Sequence, residues 1–370
     1  MEPKIHTLTI ERFRAIRKLS IENLGRVNLI TGRNNTGKSS VLEALRLLAS
    51  GASPAVIYSI LCFREEDDGE GETSPRASGE NGLLQVCGLF HGFPRFAADN
   101  EPVVIASRGG QSPMKLSLKT VWLPRGLGIR GKKKAVTHVQ EELLPALEVN
   151  DSSGTVRILL LSSFPSNYLG SQARLLAKEE SRIPCEFVSP YGGERTATLG
   201  SLWDRIALSE GEKAVVEALR IIDPRISAVS MVGGDSSRQQ RRAIVRAEGI
   251  PRPVPLRTFG DGLNRLFGIA LSLVNAKDGL LLIDEFENGM HHTVQVDVWR
   301  AIFRLARELD IQVVATSHSW DSIEAFQKAA SEVPGEGVLI RLTRKGQDII
   351  PTVLSEDELA IAARDRIEVR

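Results

Sequence analysis

Gly32–Ser39 reads GRNNTGKS and fits G-x-x-x-x-G-K-[ST] at every fixed position. Binding a phosphate chain requires many donors aimed at one dense negative charge. A glycine-bearing turn supplies backbone N–H groups, and the helix that follows adds its positive N-terminal end. Gly32 and Gly37 permit the tight backbone path, and Arg33, Asn34, Asn35 and Thr36 form the turn between them. Lys38 is spaced to reach the β- and γ-phosphates, and Ser39, followed by Ser40, is placed to bind Mg²⁺. The flanks agree with the motif. Arg26–Thr31 (RVNLIT) is strand-like, and Val41, Leu42, Leu45 and Leu48 recur at helical spacing. A Gly/Asn-rich turn with a chance lysine is the competing reading, and it leaves both flanks unexplained.

Far downstream lies LLLIDE, Leu280–Glu285, an apolar run of the kind buried in a parallel sheet, ending in two carboxylates. Beside a P-loop, Asp284 is expected to hold Mg²⁺ through a water. Glu285 is expected to orient or deprotonate the attacking water. Alone, the run would read as a strand with a solvated acidic end. It is preceded by Thr258–Val274, in which Gly260, Asp261 and Gly262 form a polar turn. Leu263, Leu266, Phe267, Ala270 and Leu273 then make a helical stripe. It is followed by a helical pattern (Val298, Trp299, Ile302, Ala306, Leu309) and by the strand-like IQVVATSHS, which leads to His318. Without this setting His318 would read as a histidine capping a strand end. His291 and His292 suggest a metal pair, but no third ligand stands at suitable spacing.

The order of P-loop, long insertion, glycine turn on a helix, acidic strand and strand-end histidine resembles the ABC-type ATPase heads of the SMC/RecF class. More closely it resembles the AAA-domain ATPases related to the overcoming-lysogenization-defect (OLD) proteins. The passages that carry the resemblance are IERFRAIRKLSIENLGRVNLITGRNNTGKSSVLEAL, LFHGF at Leu89–Phe93, PLRTFGDGLNRLFGIAL, DEFENGMHH, ATSHS and the closing IEVR. It spans the chain, strongly at both ends and weakly between about residues 95 and 200. It implies an α/β P-loop NTPase of the ABC-head type, with a flanking β-sheet and an inserted helical subdomain. Lys38 and Ser39 would be Walker A, Asp284 and Glu285 Walker B, Gly260–Gly262 the signature turn, and His318 the switch histidine near the γ-phosphate. The cofactors would be ATP and Mg²⁺. Each nucleotide would sit between the P-loop of one subunit and the signature of another, giving a homodimer or larger assembly. The effector would be a separate protein such as a nuclease, in phage defence or DNA repair. Two features depart from the family. Gly260 stands where a signature serine is common, so backbone N–H groups or Thr258 would substitute, and no glutamine fits the Q-loop. These departures keep open an ATP-gated sensor or scaffold with little hydrolysis.

Composition bounds these readings. With 42% hydrophobic residues the 370-residue chain can bury a sizeable core. Lys and Arg number 47 against 46 Asp and Glu, so any attraction to DNA must be local. Arg130–Lys134 and Arg238–Arg246 are basic clusters that fit either a phosphate backbone or a solvated strand face. A GTPase would need N-K-x-D, and Asn275–Asp278 has the wrong spacing. Cys62, Cys87 and Cys185 show no C-x-x-C spacing, and no segment reaches the ~20 apolar residues of a membrane span, so a cytoplasmic protein is expected. The expected organisation is an N-terminal ATPase lobe (1–125), a lateral, mainly helical insertion (126–235) and a C-terminal lobe (236–370). Arg64–Gly82 reads as a solvated loop and Ser171–Ile222 as helical. After Gly346 only 24 residues remain (370 − 346). A C-terminal Toprim nuclease domain, which needs more than the ~50 residues of even a small domain, is therefore not expected.

Overall fold

A computed structural model of the chain describes residues 2–63, 86–94, 101–109, 113–124, 143–161, 182–190, 196–233 and 241–365. Its centre is a six-stranded sheet in the order β15-β14-β3-β13-β12-β8. The members are β3 (Val27–Thr31), β8 (Cys185–Val188), β12 (Leu280–Ile283), β13 (Gln312–Thr316), β14 (Gly337–Lys345) and β15 (Asp348–Leu354). All neighbours run parallel except the β14–β15 hairpin.

The sheet is covered on both faces, and strand alternation divides two cores between them. Val27, Leu29, Leu281, Ile283, Val313 and Ala315 enter one core; Ile30, Leu280, Leu282 and Val314 enter the other. That double burial is why these strands read as unbroken apolar runs. The first core is filled from helices α5 (Asp261–Asn275), α6 (His292–Glu308) and α7 (Trp320–Ala330). The second is filled from the helices α1 (Lys38–Ser50) and α2 (Pro54–Phe63) and from an antiparallel sheet. That sheet has the order β2-β1-β4-β5-β6-β7, with β1 (Thr7–Phe13), β2 (Ile16–Ile21), β4 (Val103–Arg108), β5 (Met114–Pro124), β6 (Leu143–Asp151) and β7 (Val156–Leu160). The expected α/β P-loop architecture, with its flanking sheet and inserted helices, is the one observed.

The middle of the chain is richer in strands than the sequence suggests. Helices α3 (Thr196–Ile206) and α4 (Glu210–Leu219) are present, but β6 and β7 of the same span extend the antiparallel sheet. β8 lies inside the stretch 171–222, read as helical, and pairs in parallel with β12. Four residues, CEFV, are too few to show a period. Strands β9 (Ile226–Val232), β10 (Arg242–Ala247) and β11 (Val254–Pro255) form a third sheet leading to α5. Here Arg241, part of the basic cluster, is committed to Asp204 through two bonds of 2.6 and 2.8 Å, whereas Arg242 and Arg246 are exposed. The loop 64–82, Gln85, the basic stretch 130–134 and the closing IEVR lie outside the described residues.

Candidate functional site

Three strand ends meet at one edge of the parallel sheet, the place where open α/β sheets bind ligands. β3 leads into the Gly32–Ser39 loop, β12 into Asp284 and Glu285, and β13, between them, into Ser317 and His318.

The P-loop is tightly packed. At Gly32 φ is 146°, and a Cβ there would lie 2.5 Å from the Leu342 carbonyl oxygen and 2.7 Å from Thr36 Oγ1. Thr36, buried, donates from Oγ1 to the Arg33 carbonyl at 2.8 Å. Asn35 offers its carbonyl to Arg344, 2.9 Å from Nη2, so the β14–β15 hairpin clamps the turn. Arg33, Asn34 and Asn35 expose their side chains, and Ser40 is buried. Helix α1 starts at Lys38 with Gly37 as N-cap and no side-chain cap, which leaves its first N–H groups to a ligand. Lys38 Nζ donates to the carbonyls of Gly32 (2.6 Å) and Arg33 (3.1 Å). Burial lowers its pKa, and the charges of Asp284, Glu285 and Glu287 offset part of that.

The acidic end of β12 is held by a small network. The buried Asp284 accepts at Oδ1 from Thr316 Oγ1 (2.6 Å) and from Ser39 Oγ (3.2 Å). Thr316 Oγ1 in turn accepts from the Glu285 N–H at 2.9 Å. Glu285 has φ of 48°, a left-handed conformation that costs a non-glycine residue roughly 1–3 kcal/mol unless its surroundings hold it. They do. Arg265, 2% exposed, donates from Nη2 to the carbonyls of Asp284 (2.8 Å) and Glu285 (3.2 Å), and from Nη1 to that of Ser189. Asn288 Nδ2 donates to Glu285 Oε2 at 2.6 Å and to the Pro190 carbonyl at 2.9 Å. Phe286 stacks on Trp299, centroids 4.1 Å apart, and so anchors the segment in the core.

His318, about half exposed, is tied to Glu287 rather than to Glu285. Its N–H donates to Glu287 Oε1 at 2.9 Å, and its Nδ1 lies 3.1 Å from the same oxygen. The turn Gly260–Gly262 opens α5, with Gly260 and Asp261 exposed and no side-chain cap. Gly262 differs from them, because a Cβ there would sit 2.8 Å from the Gly289 carbonyl oxygen. It is a packing contact between the start of α5 and the loop after Glu285. His291 caps α6, its Nδ1 accepting from the Thr293 N–H. Among the described residues no group of three or more His, Cys, Asp or Glu is arranged to hold a metal ion.

Residues 4–83 match a family model described as "AAA ATPase domain". Residues 208–323 match one described as "AAA domain, putative AbiEii toxin, Type IV TA system". The chain is 24% identical over 352 residues to an "ATP/GTP phosphatase" of Helicobacter pylori, covering 89% of each protein. This is a P-loop ATPase. It is also 31% identical over 98 residues to an uncharacterized protein of Methanocaldococcus jannaschii, covering 26% of this chain and 85% of that one. Among solved structures it is similar to the SMC head domain derived from Pyrococcus furiosus, with 12% identity, a TM-score of 0.47 and full coverage of both chains. The SMC head domain from Thermotoga maritima is matched at 12% identity and a TM-score of 0.42, over 95% of this chain and 99% of that one.

In this ATPase the motif residues sit together, and four further side chains, to which the sequence attached no role, fix them. Thr316, Arg265, Asn288 and Glu287 act on the motif residues through contacts set by the fold. Two left signals in the sequence. Thr316 is a polar residue closing an apolar strand, and Arg265 is a charge inside the apolar stripe of α5. Asn288 and Glu287 stand in the quoted passage DEFENGMHH, but nothing in it points to their contacts. Among the described residues no helix is long and apolar enough to cross a membrane.

Proposed function

We propose that this ATPase works as an ATP-linked homodimer, and that its nucleotide state controls a separate effector. Lys38 and the N–H groups of Gly32–Ser40 bind the β- and γ-phosphates. Ser39 and Asp284, whose oxygens approach to 3.2 Å, suit a hard divalent cation. They would hold Mg²⁺, which neutralises charge on the phosphate oxygens. Glu285 takes a proton from the attacking water. His318 contacts the γ-phosphate from the end of β13.

The observation that carries the dimer is the turn at Gly260 and Asp261. It opens a 15-residue helix whose body is buried, yet the turn itself is exposed and uncapped. Such a helix start is a ready anion site. In the composite arrangement it receives the partner subunit's ATP, with backbone N–H groups standing in for the absent signature serine. The lobes 1–125 and 236–370 form the nucleotide-binding body and 126–235 the lateral unit. We read the effector as a nuclease on a separate polypeptide, acting in the cytoplasm in phage defence or DNA repair. The OLD-like motif order and the toxin–antitoxin description of one matching family support that context.

Phosphate release measured against protein concentration tests the dimer. Specific activity should rise with concentration and reach a plateau. Constant specific activity over a hundredfold dilution range would sink the composite site.

A further inference from the structure

We propose that Glu287 is a positioning residue for ATP hydrolysis, acting through His318. Its side chain is 9% exposed. One oxygen, Oε1, meets three groups of the strand-end segment: the His318 N–H at 2.9 Å, the Ser319 N–H at 3.1 Å and His318 Nδ1 at 3.1 Å. The other oxygen, Oε2, is buried without a hydrogen-bond partner. Glu287 also lies near the phosphate loop, its charge being the last of three carboxylate charges that sustain the Lys38 cation against burial.

The chemistry follows from the inventory of donors. A carboxylate only accepts, and the bare lone pair of a ring nitrogen set against it would be repelled, so a ring nitrogen held this close to it is the one expected to carry the proton. On this proposal the proton of His318 belongs to Nδ1, and Nε2 is left to meet a nucleotide. With the backbone N–H bonded to this oxygen and Nδ1 held 3.1 Å from it, the carboxylate selects the tautomer and orientation of the ring. Carboxylates play this part for metal-bound histidines, where their loss costs roughly 10- to 100-fold. The plainer role is helix capping, since Ser319, the N-cap of α7, makes no side-chain cap bond. Glu287 fills that role as well, so the test must separate the two.

The proposal rests on His318 as a γ-phosphate contact. Ring ¹⁵N NMR of the nucleotide-free wild type should show a protonated Nδ1, and a bare Nδ1 would overturn the pairing. In E287A the ring should move to the Nε2-protonated form, and an unchanged ring spectrum would do the same. Steady-state kinetics then asks whether Glu287 acts through the ring. E287A should lower kcat about tenfold or more with KM for ATP nearly unchanged. In an H318A background it should add nothing. If H318A is slow and E287A still costs its full factor there, Glu287 is a cap and the proposal falls. If H318A hydrolyses ATP at the wild-type rate, the reading of His318 itself falls, while the ring spectra still report on the pair. Should E287A fail to fold, E287Q keeps a capping oxygen but not the charge. It should melt like the wild type and lose about threefold or more in kcat, charge-assisted bonds being roughly twice as strong as neutral ones. A wild-type kcat in E287Q would overturn the proposal.

Discussion

At the residue scale each group of the candidate site has its own set of partners, and a substitution can remove them one at a time. Lys38→Ala removes a cation whose two carbonyl partners, Gly32 and Arg33, it would exchange for phosphate. ATP binding should weaken by about 3 kcal/mol, read by calorimetry, and wild-type affinity would refute the P-loop assignment. Glu285→Gln should keep ATP binding and lose about 10²–10⁴ in turnover, because an amide bonds water but takes no proton. Thr316→Val isolates one hydroxyl at constant shape. It strips Asp284 of a 2.6 Å donor and the Glu285 N–H of its acceptor. Unfolding free energy should fall by roughly 1–3 kcal/mol, and Thr316→Ser should restore it. Equal stability of all three proteins would show that the hydroxyl is idle. Lys38 and Ser39 are legible by spacing, and Asp284 and Glu285 by their place beside a P-loop; the fold brings Ser39 Oγ to 3.2 Å from Asp284 Oδ1. The contacts of Thr316 and Glu287 are not legible, because each acts on a residue 31 or 32 positions away.

At the element scale the apolar patterns foretold β3, α1, β12 and β13, whose residues are buried on both sides or along one stripe. The strands β8 and β15 escaped notice. β8 is four residues long, and β15 mixes polar and apolar positions at a sheet edge, with Pro351 inside it. Helix α1 is fastened by a pair that patterning could not reveal. Arg14, in the turn between β1 and β2, meets Glu43 of α1 at 2.5 Å, and each side chain is 4% exposed. Glu43→Ala leaves Arg14 buried without that carboxylate. Chemical denaturation should show a loss of about 3–5 kcal/mol, and a change within experimental error would remove the pair from the account. Gly262 sets a similar limit at the start of α5. A side chain there displaces the Gly289 backbone, so Asp261→Lys, at an exposed position, is the cleaner probe of the turn Gly260–Gly262.

At the scale of the molecule, two cores grip one parallel sheet, and all three strand ends of the site emerge between them. The start of α5 is bound to the segment Asp284–Gly289 of its own chain, by Arg265 and by the close approach of Gly262 to Gly289. A nucleotide held by this turn from a partner subunit would therefore press on the Glu285 of the chain that holds it. That coupling between subunits requires a dimer, and so the most direct measurement is the mass of the Glu285→Gln protein by sedimentation. With saturating ATP and Mg²⁺ it should double, while ADP, or the added change Asp261→Lys, should leave it at one chain. A Glu285→Gln protein that binds ATP and stays at the mass of one chain at every concentration would contradict the composite-site account.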